Sequence, residues 1–425
     1  MNKVFLVVSF FALALATENI SPTLNLDTSF QAALRQSETM ADQQEQLLQA
    51  EEHYSQGLSA MLPNVNANAL FFSQDTADLN LASGVTSPQA NQTTTRLNAT
   101  WPIFRGFRDF AALAQNQQLI TAQKEAYQWA ALQLYQDTAQ AFYLVVSLEN
   151  DRAILEKEVR LYKQRIGELQ DRVAIGRSRQ TEVLTVQVSL ATLEAQLEQA
   201  KAQVVAAREL LGFITGTTIT AVSDAQVVPR IAEPLAFYVQ KIAQRPDIIA
   251  ADARIAATSK NIDIATGAFL PAADVGANYY LQRPTGTLKD SHWDAQMAIT
   301  IPLFSGSTNF SKVTEAQSQV RQAQLAKDRL QRLAEQNIRT TYQQYLYDVT
   351  QITAYQKAAQ LAEKNYQAVA QDYNLGLDTN IDVLQALVTY QEAQRSLNRA
   401  QAAAKTDWCR LTALTATVPM LTGAK

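Results

Sequence analysis

The chain is poor in the residues from which most active sites and metal sites are built. It has 425 residues but only one cysteine, Cys409, and two histidines, His53 and His292, which lie far apart in the sequence. A single thiol cannot form an intrachain disulfide, and this set cannot supply the ligands of a metal cluster. The segment 212–216 lacks the spacing and the lysine of a phosphate-binding loop. We therefore expect a protein that is not an enzyme, with no catalytic residue, no cofactor and no metal.

Long apolar runs and an excess of one charge are also missing. Beyond the first residues, no stretch approaches the 18 consecutive apolar residues expected of a transmembrane helix. The formal net charge is only -4, with acidic and basic residues interspersed, so nothing predicts a nucleic-acid partner. The chain begins like a secretory signal, because Lys3 is followed by the apolar run Val4–Leu15 and by Ala-Leu-Ala at 14–16. We expect residues 1–16 to be a cleaved signal peptide, and the alternative is an uncleaved anchor.

One sequence pattern occurs twice. A Pro-x-Phe-x-Gly turn, a long tract without proline, a lone glycine and a Val-Leu pair follow one another in each half. The residues that recur 200 positions later are Pro102, Phe104, Gly106, Gly176, Val183, Leu184, Leu197 and Leu211, which become Pro302, Phe304, Gly306, Gly376, Val383, Leu384, Leu397 and Leu411. A fixed offset of this kind indicates gene duplication, and two copies of one unit suggest a closed, pseudo-symmetric assembly.

The tracts between these motifs predict very long helices. Phe107–Ile175 has one glycine and no proline, Ser307–Leu375 has neither, and both are rich in Ala, Gln, Leu, Glu and Lys. At 1.5 Å per residue each helix would be about 100 Å long, which is too long for one globular domain. Helices of about half this length are predicted at Asp27–Met61, Thr181–Leu211, Phe237–Phe269 and Ile381–Leu414. Helices alone leave a structural coiled-coil protein open as an alternative.

Four short segments between the helices predict β-strands with one apolar and one polar face. They lie at about 63–72, 94–104, 272–281 and 292–301, with aromatic residues near their ends. This alternation is typical of a transmembrane β-barrel, although a half-buried strand of a soluble sheet alternates in the same way. Four strands cannot close a barrel, and open sheet edges are not tolerated in lipid. Three chains would give twelve strands, the smallest multiple expected to leave an aqueous lumen, which favours a homotrimer.

These patterns predict a mainly α fold with a transmembrane β-barrel, built from a duplicated unit of helix, strand hairpin, long helix and helix. The sequence resembles the outer-membrane efflux protein family, the family of the TolC-like channel-tunnels, over nearly the whole mature chain. The motifs that carry the resemblance are Leu62-Pro63, Leu270-Pro271, Trp101-Pro102-Ile103-Phe104-Arg105-Gly106, Ile301-Pro302-Leu303-Phe304-Ser305-Gly306, Arg245-Pro246-Asp247-Ile248 and Tyr373-x-x-Gly376-Leu377-x-Thr379-x-x-Asp382-Val383-Leu384. Each motif is weak alone, but their order and spacing are specific.

The resemblance implies a homotrimer with a 12-stranded outer-membrane barrel continued by a long periplasmic α-helical tunnel. Each chain would contain structural repeats at 17–213 and 237–415, an equatorial linker at 214–236 and a tail at 416–425. The trimer would contact outer membrane lipid and conduct substrates passively to the exterior, as the exit duct of a tripartite efflux or type I secretion system. Its partners would be a periplasmic adaptor (membrane fusion) protein and an inner-membrane transporter of the RND, ABC or MFS type. The alternatives are a periplasmic adaptor or a structural coiled-coil protein of the cell envelope.

The two lone glycines mark the expected periplasmic ends of the tunnel. Gly176 and Gly376 can supply a positive φ angle where antiparallel helices reverse. An acid follows six residues after each glycine, at Glu182 and Asp382, and a trimer would hold six such carboxylates, which favour cations. The resemblance implies a pore-constricting acid at Asp382. The alternative is that both acids only stabilise helix N-termini.

Further candidates flank the same glycines. Gln385 stands where some family members carry a second constricting acid. Tyr373, Asp378, Arg177 and Arg179 are candidates for bonds that hold the tunnel closed, with solvated charge as the alternative for the two arginines. The residues expected to take part in adaptor docking and gating are Gly176, Gly376, Tyr373, Leu377, Thr379, Asp378, Arg177 and Arg179.

Overall fold

The computed structural model describes residues 24–74, 91–231, 233–284 and 288–418. The elements within these ranges are α1 (Leu26–Gln36), α2 (Glu38–Ser59), β1 (Asn64–Ser73), β2 (Asn91–Arg105), α3 (Arg108–Ala174), α4 (Gln180–Thr215), α5 (Leu235–Gln240), a 3-10 helix (Lys241–Gln244), α6 (Pro246–Gly267), β3 (Ala272–Gln282), β4 (Trp293–Thr300), α7 (Thr308–Leu375) and α8 (Asn380–Leu414). The predicted signal peptide, most of the loop after β1 and the end of the predicted tail lie outside the described residues.

The described residues form two compact units. The first contains the described residues within Met1–Ser37, Leu134–Arg230 and Tyr345–Cys409, and the second contains those within Glu38–Gln133, Ile231–Gln344 and Arg410–Lys425. All four strands belong to the second unit, whereas both helix turns that follow α3 and α7 belong to the first. The two long helices contribute residues to each unit.

The prediction of two very long helices is confirmed. Helix α3 has 67 residues and helix α7 has 68, and both run without a break. The sequence explains this continuity, because neither tract contains proline and both are made of residues with high helix propensity. Gly167 is tolerated inside α3, where a Cβ atom would meet nothing within 4 Å. No helix of the described residues is long and apolar enough to cross a membrane.

The prediction of single helices at 27–61 and 237–269 is wrong. The first region is divided at Ser37, whose backbone is extended with φ -66° and ψ 115°. The second is divided at Arg245, also extended with φ -69° and ψ 134°, because Pro246 disfavours the helical conformation of the residue before it. Proline then starts α6 at its first position, where its missing N–H is not needed. The break at Ser37 has no comparable signal in the sequence.

The strands form one antiparallel sheet in the order β1-β2-β3-β4. Each strand pairs with the next in the chain, and the pairing of β2 with β3 is shifted between Thr95 and Arg96 and between Pro102 and Phe104. Strand β2 extends from 91 to 105, beyond the predicted ends, whereas β4 ends one residue early at Thr300. The two register shifts are irregularities of the β-bulge type, which bend a strand and increase its twist.

Equivalent residues of the four strands form rows across the sheet. One row is polar, and its members Asn66, Asn98, Asn278 and Asp294 are direct neighbours in register. Within it the Asn98 amide donates to Asn278 over 2.9 Å, and the Asn278 amide donates to Asp294 over 2.7 Å. The next row, Val65, Ala99, Ala277 and Ala295, is apolar. One face of the sheet is thus built for water and hydrogen bonding and the other for an apolar surrounding.

The first unit has an apolar core along α3, α4, α7 and α8. Leu155, Leu169, Val183, Val186 and Leu387 belong to this cluster and are nearly or fully buried. Complete burial of one such side chain contributes about 1.5 to 3 kcal/mol relative to exposure. This core holds the helices in place up to the two turns, which it positions.

Candidate functional site at the two helix turns

The turn between α3 and α4 closes with a two-bond helix cap. Gly176 has φ 76°, in the left-handed region that glycine adopts without strain. Its N–H donates to the Val173 carbonyl over 2.9 Å, and the Arg177 N–H donates to the Arg172 carbonyl over 2.8 Å. This pair of bonds is a Schellman motif, which satisfies carbonyl groups at the end of α3.

The turn between α7 and α8 has the same backbone. Gly376 has φ 79°, its N–H donates to the Tyr373 carbonyl over 3.1 Å, and the Leu377 N–H donates to the Asp372 carbonyl over 2.9 Å. A Cβ atom at either Gly176 or Gly376 would meet nothing within 4 Å. The glycines are therefore required by the turn conformation and not by close packing within the chain.

Asp382 caps the start of α8. Its Oδ2 atom accepts a hydrogen bond from the Thr379 N–H over 3.0 Å and another from the Thr379 hydroxyl. These bonds lower the pKa of the exposed Asp382 carboxyl below its ordinary value, which favours the ionised form. The structure thus gives Asp382 the capping role that was the alternative to a pore constriction. Both bonds use one oxygen and keep the negative charge, so the two roles are compatible.

Glu182 is held in a different way at the start of α4. Its Oε2 atom accepts a hydrogen bond of 2.9 Å from the hydroxyl of Ser178, four residues earlier. Arg179, the residue before the helix, makes no side-chain capping bond. The two turns therefore share their backbone but orient their acids through different hydroxyl groups.

The remaining predicted residues lie on the outside of the turns. Leu377 is 73% exposed, and Gln385, Thr379, Arg177 and Arg179 are exposed as well. The apolar side chains of Ile175, Leu375 and Ile381 are similarly exposed, so the second turn in particular presents hydrocarbon to its surroundings. Asp378 is half-buried.

Tyr373 is buried and lies between two arginines that the sequence analysis did not single out. The guanidinium carbon of Arg165 lies 3.9 Å from the centre of the Tyr373 ring, and that of Arg172 lies 4.5 Å from it. Cation–π contacts of this kind are worth about 0.5 to 2 kcal/mol. No hydrogen bond or ion pair joins the Tyr373 side chain to Arg177 or Arg179 among the residues described.

The same arginines bind α7 and α8 through asparagines. Arg165 Nε donates to Asn380 over 3.1 Å, and Arg172 Nη2 donates to Asn374 over 2.6 Å. Arg165 also pairs with Glu168 over 3.2 Å on its own helix. Residues 165 and 172 are seven apart and therefore share one face of α3, which is the signal that could have identified them. We call this set, Arg165, Arg172, Tyr373, Asn374 and Asn380, the arginine latch.

The described residues contain no group of three or more His, Cys, Asp or Glu side chains placed to hold a metal ion. The two turns instead offer an exposed acid, Asp382, a half-buried acid, Glu182, exposed apolar side chains and hydrogen bonds between helices. Such features suit protein contact and ion attraction rather than a chemical reaction.

Comparison with known proteins shows to which family the chain belongs. Residues 29–217 and 237–417 match the family described as "Outer membrane efflux protein". The chain belongs to that family. It is 23% identical over 343 residues to the outer membrane efflux protein BepC of Brucella suis, covering 79% of this chain and 75% of BepC. The solved structure of CusC has a TM-score of 0.81 at 17% identity, covering 92% of this chain and 91% of CusC. VceC of Vibrio cholerae has a TM-score of 0.77 at 20% identity, covering 92% and 96%.

Family membership establishes the general function. Members are outer-membrane channels of tripartite efflux systems, which form trimers and work with a periplasmic adaptor and an inner-membrane pump. The chain is accordingly an outer-membrane efflux channel with its helical tunnel in the periplasm, and not an enzyme. This outcome confirms the predicted resemblance and excludes the periplasmic adaptor and the structural coiled-coil protein.

Proposed function

We propose that three copies of this chain form a gated exit duct, with a 12-stranded barrel in the outer membrane and a tunnel that opens into the periplasm at the two turns. The observation that carries the proposal is the four-stranded sheet, in which β1 and β4 each pair on one side only. Unpaired edges are not stable in lipid, so they require neighbours. Three sheets joined edge to edge would place the row of Asn98 and Asp294 on the lumen and the row of Ala99 on the lipid.

The proposed division of the chain follows the duplication. The signal peptide would occupy 1–16, the two structural repeats 17–213 and 237–415, the equatorial linker 214–236 and the tail 416–425. The matched family segments begin and end close to the two repeats, at 29–217 and 237–417, which supports this division.

We assign the two turns to the adaptor and to gating. Exposed Leu377, Ile381 and Leu375 supply the apolar area that a protein interface needs at its centre. The arginine latch ties α3 to the α7–α8 turn, and its rupture is the step that we assign to opening. The inner-membrane transporter would be of the RND, ABC or MFS type, and type I secretion is a second use of the same duct.

We further propose that Asp382 and Glu182 form an acidic ring at the constriction, with Gln385 beside it. The hydrogen bonds from Thr379, which lower the pKa of Asp382, favour its charged form. In a trimer these positions would supply six carboxylates, which attract cations and repel anions.

Replacing Asp382 with asparagine tests both the duct and the ring. Asparagine retains an oxygen that can accept the Thr379 N–H, so the cap persists while three charges leave the trimer. We expect the protein to form pores in planar bilayers, and Asp382→Asn to shift the reversal potential toward lower cation preference. The shift should be largest at about 0.01 M salt, where the Debye length is about 30 Å.

Glu182→Gln, which likewise keeps an acceptor for Ser178, should act in the same direction, and the double variant should exceed either single change. Glu198→Gln, an exposed acid on α4 paired with Lys201, is the matched control and should leave the reversal potential unchanged. Failure of the wild-type protein to form pores would overturn the duct. Pores with unaltered selectivity in the double variant would overturn only the acidic ring.

Gly376→Val tests docking at the turn. Valine cannot adopt φ 79° without strain, so the surface around Leu377 should be distorted while the sheet, in the other compact unit, is untouched. We expect normal amounts of trimer in the outer membrane, with efflux lost and crosslinking to the adaptor reduced. Gly167→Val, inside α3, is the control for a valine elsewhere in the helices. Wild-type efflux in Gly376→Val would place docking at another surface.

A further inference from the structure

A carboxyl group is buried at the base of a groove that three helices of the first unit border. Glu158 of α3 is only 8% exposed. It lines a cavity of about 300 Å³ together with residues of α4 and α8. The α4 wall contributes only uncharged side chains, among them Ser189 and Thr192. Because burial of an unpaired carboxylate is costly, the partners of Glu158 decide whether it is charged.

The partners of Glu158 come from α8. The Gln391 amide, turned so that its nitrogen faces the carboxylate, donates to both oxygens of Glu158. Arg395, which also lines the cavity, is the nearby cation. An amide and a partly shared guanidinium compensate a buried negative charge less well than a bidentate arginine does.

Arg395 is shared because a second buried acid competes for it. Its Nε atom lies 3.6 Å from Oδ2 of Asp151 and is buried without a hydrogen-bond partner in the part of the chain that the structure describes. Asp151 already accepts hydrogen bonds from Asn398 over 2.8 Å and from Arg399 over 2.9 and 2.8 Å. Arg395 is therefore held by Asp151 only through this long ion pair, while it also lines the cavity beside Glu158.

The charged surroundings give the direction of titration. Desolvation raises the pKa of Glu158 to about 7, Arg395 opposes the rise and Glu392 adds to it. Tyr162 on the same helix is a further titratable group close to Glu158, and α4 contributes no titratable side chain to the lining of the cavity. The pKa of Glu158 is thus about 4.5 in the unfolded chain and about 7 in the folded chain, so the folded chain binds the proton more tightly. The resulting stabilisation of the fold is complete below about pH 4.5 and is lost as the pH rises through about 7.

We propose that the Glu158 cavity is a proton-operated clamp that holds α3 against α8 and tightens when the solution is acidified. The proton comes from solvent and binds a carboxylate oxygen of Glu158, which then needs only Gln391 as a partner. Arg395 is released to Asp151 and Glu392. On deprotonation, two carboxylates, Glu158 and Glu392, again face one shared arginine, and the packing loosens. The clamp itself does not depend on the proposed function. Its consequence for the duct, that the tunnel wall resists opening at low pH, rests on the proposed function.

Hydrogen exchange on the full chain in detergent tests the clamp. After correction for the intrinsic pH dependence, amides of 155–162 and 388–395 should gain protection of about tenfold or more between pH 8 and pH 5.5, since each pKa unit corresponds to a tenfold change in the equilibrium. Glu158→Gln should be protected at both pH values. Glu156→Gln, which removes an acid paired with Arg152 on the same helix, should keep the wild-type pH dependence.

Infrared difference spectroscopy gives a second readout, which does not depend on conduction. A protonated carboxylic acid band should titrate near pH 7 in the wild type and be missing in Glu158→Gln. If Glu158→Gln does not fold, Glu392→Gln provides the test instead. Removal of the negative charge of Glu392 should move the midpoint of the Glu158 titration to lower pH. A band that titrates only in the ordinary carboxyl range, or protection that does not vary with pH, would overturn the clamp. Neither result bears on whether the protein forms pores in bilayers. The clamp and the proposed duct can therefore fail independently of each other.

Discussion

Arg245→Ala is expected to destabilise the second unit by about 3 to 5 kcal/mol, the cost of removing one partner of a buried ion pair. Arg245 is 2% exposed and holds Asp247 through both carboxylate oxygens, over 3.0 and 2.7 Å. It also donates to the Leu414 carbonyl at the end of α8 over 3.1 Å and lies 4.5 Å from the ring centre of Trp129. Alanine would leave the largely buried Asp247 carboxylate with only the Ile248 N–H as a hydrogen-bond donor, over 3.0 Å, and would remove the Arg245 donor from the Leu414 carbonyl.

The measurement is the thermal unfolding midpoint of the purified protein at one scan rate, since unfolding of such proteins is often irreversible. Arg254→Ala, an exposed arginine on the same helix α6, is the matched control and should change the midpoint little. Adding Asp247→Ala to Arg245→Ala should recover part of the loss, because the orphaned charge is then gone. A midpoint for Arg245→Ala equal to that of the control would show that the pair contributes nothing to stability.

The same motif shows what the sequence can and cannot predict. Arg245-Pro246-Asp247 is one of the motifs that carry the family resemblance. Proline is common at the first position of a helix, and α6 begins at Pro246. The sequence analysis nevertheless predicted one continuous helix through this proline, which was wrong. Thr379 and Asp382 stand three apart before an apolar run, a capping pattern that predicts the observed bonds from sequence alone. The local signal was present in both cases, but the helix break at Pro246 was missed, and the helix-start role of Asp382 was given only as the alternative to a pore constriction.

Contacts between side chains that lie far apart in the sequence could not be predicted from local sequence patterns. Tyr373 could be selected because it belongs to the family motif that contains Gly376, but its contact with Arg165 depends on how α3 and α7 pack. Glu158 is hidden for the same reason, because its place on α3 gives no sign that Gln391 and Arg395 lie opposite. Patterns of period 3.6 predict that a face is buried and not which side chains it meets.

The duplication explains why the two turns differ in chemistry but not in backbone. Gly176 and Gly376 fix the same cap, which leaves the neighbouring side chains free to diverge. The first turn then carries Arg177 and Arg179, and the second carries Leu377 and Thr379 at the matching positions. The first turn can therefore present charged side chains and the second turn apolar ones, without any change in the helices that support them.

Gly106→Ala is expected to disrupt folding of the second unit, whereas Gly306→Ala is expected to be tolerated. Both glycines have φ 63° and are related by the duplication, so the cost of left-handed alanine, about 1 to 2 kcal/mol, is common to both. A Cβ at Gly106 would lie 2.3 Å from the Gly267 carbonyl oxygen and 2.9 Å from Leu270 Cβ, whereas at Gly306 it would meet nothing within 4 Å. The clash is with backbone, which cannot rotate away.

Comparison of three alanine variants separates the two contributions. Gly267→Ala has no positive φ but would bring its own Cβ to 2.4 Å from the Gly106 carbonyl oxygen, so it reports the clash alone. Gly306→Ala reports the conformational cost alone, and Gly106→Ala carries both. We expect the yield of folded protein in the outer membrane to fall in the order Gly306→Ala, Gly267→Ala, Gly106→Ala. Equal yields for the Gly106 and Gly306 variants would mean that the turn after β2 does not pack against the end of α6 as closely as the structure has it.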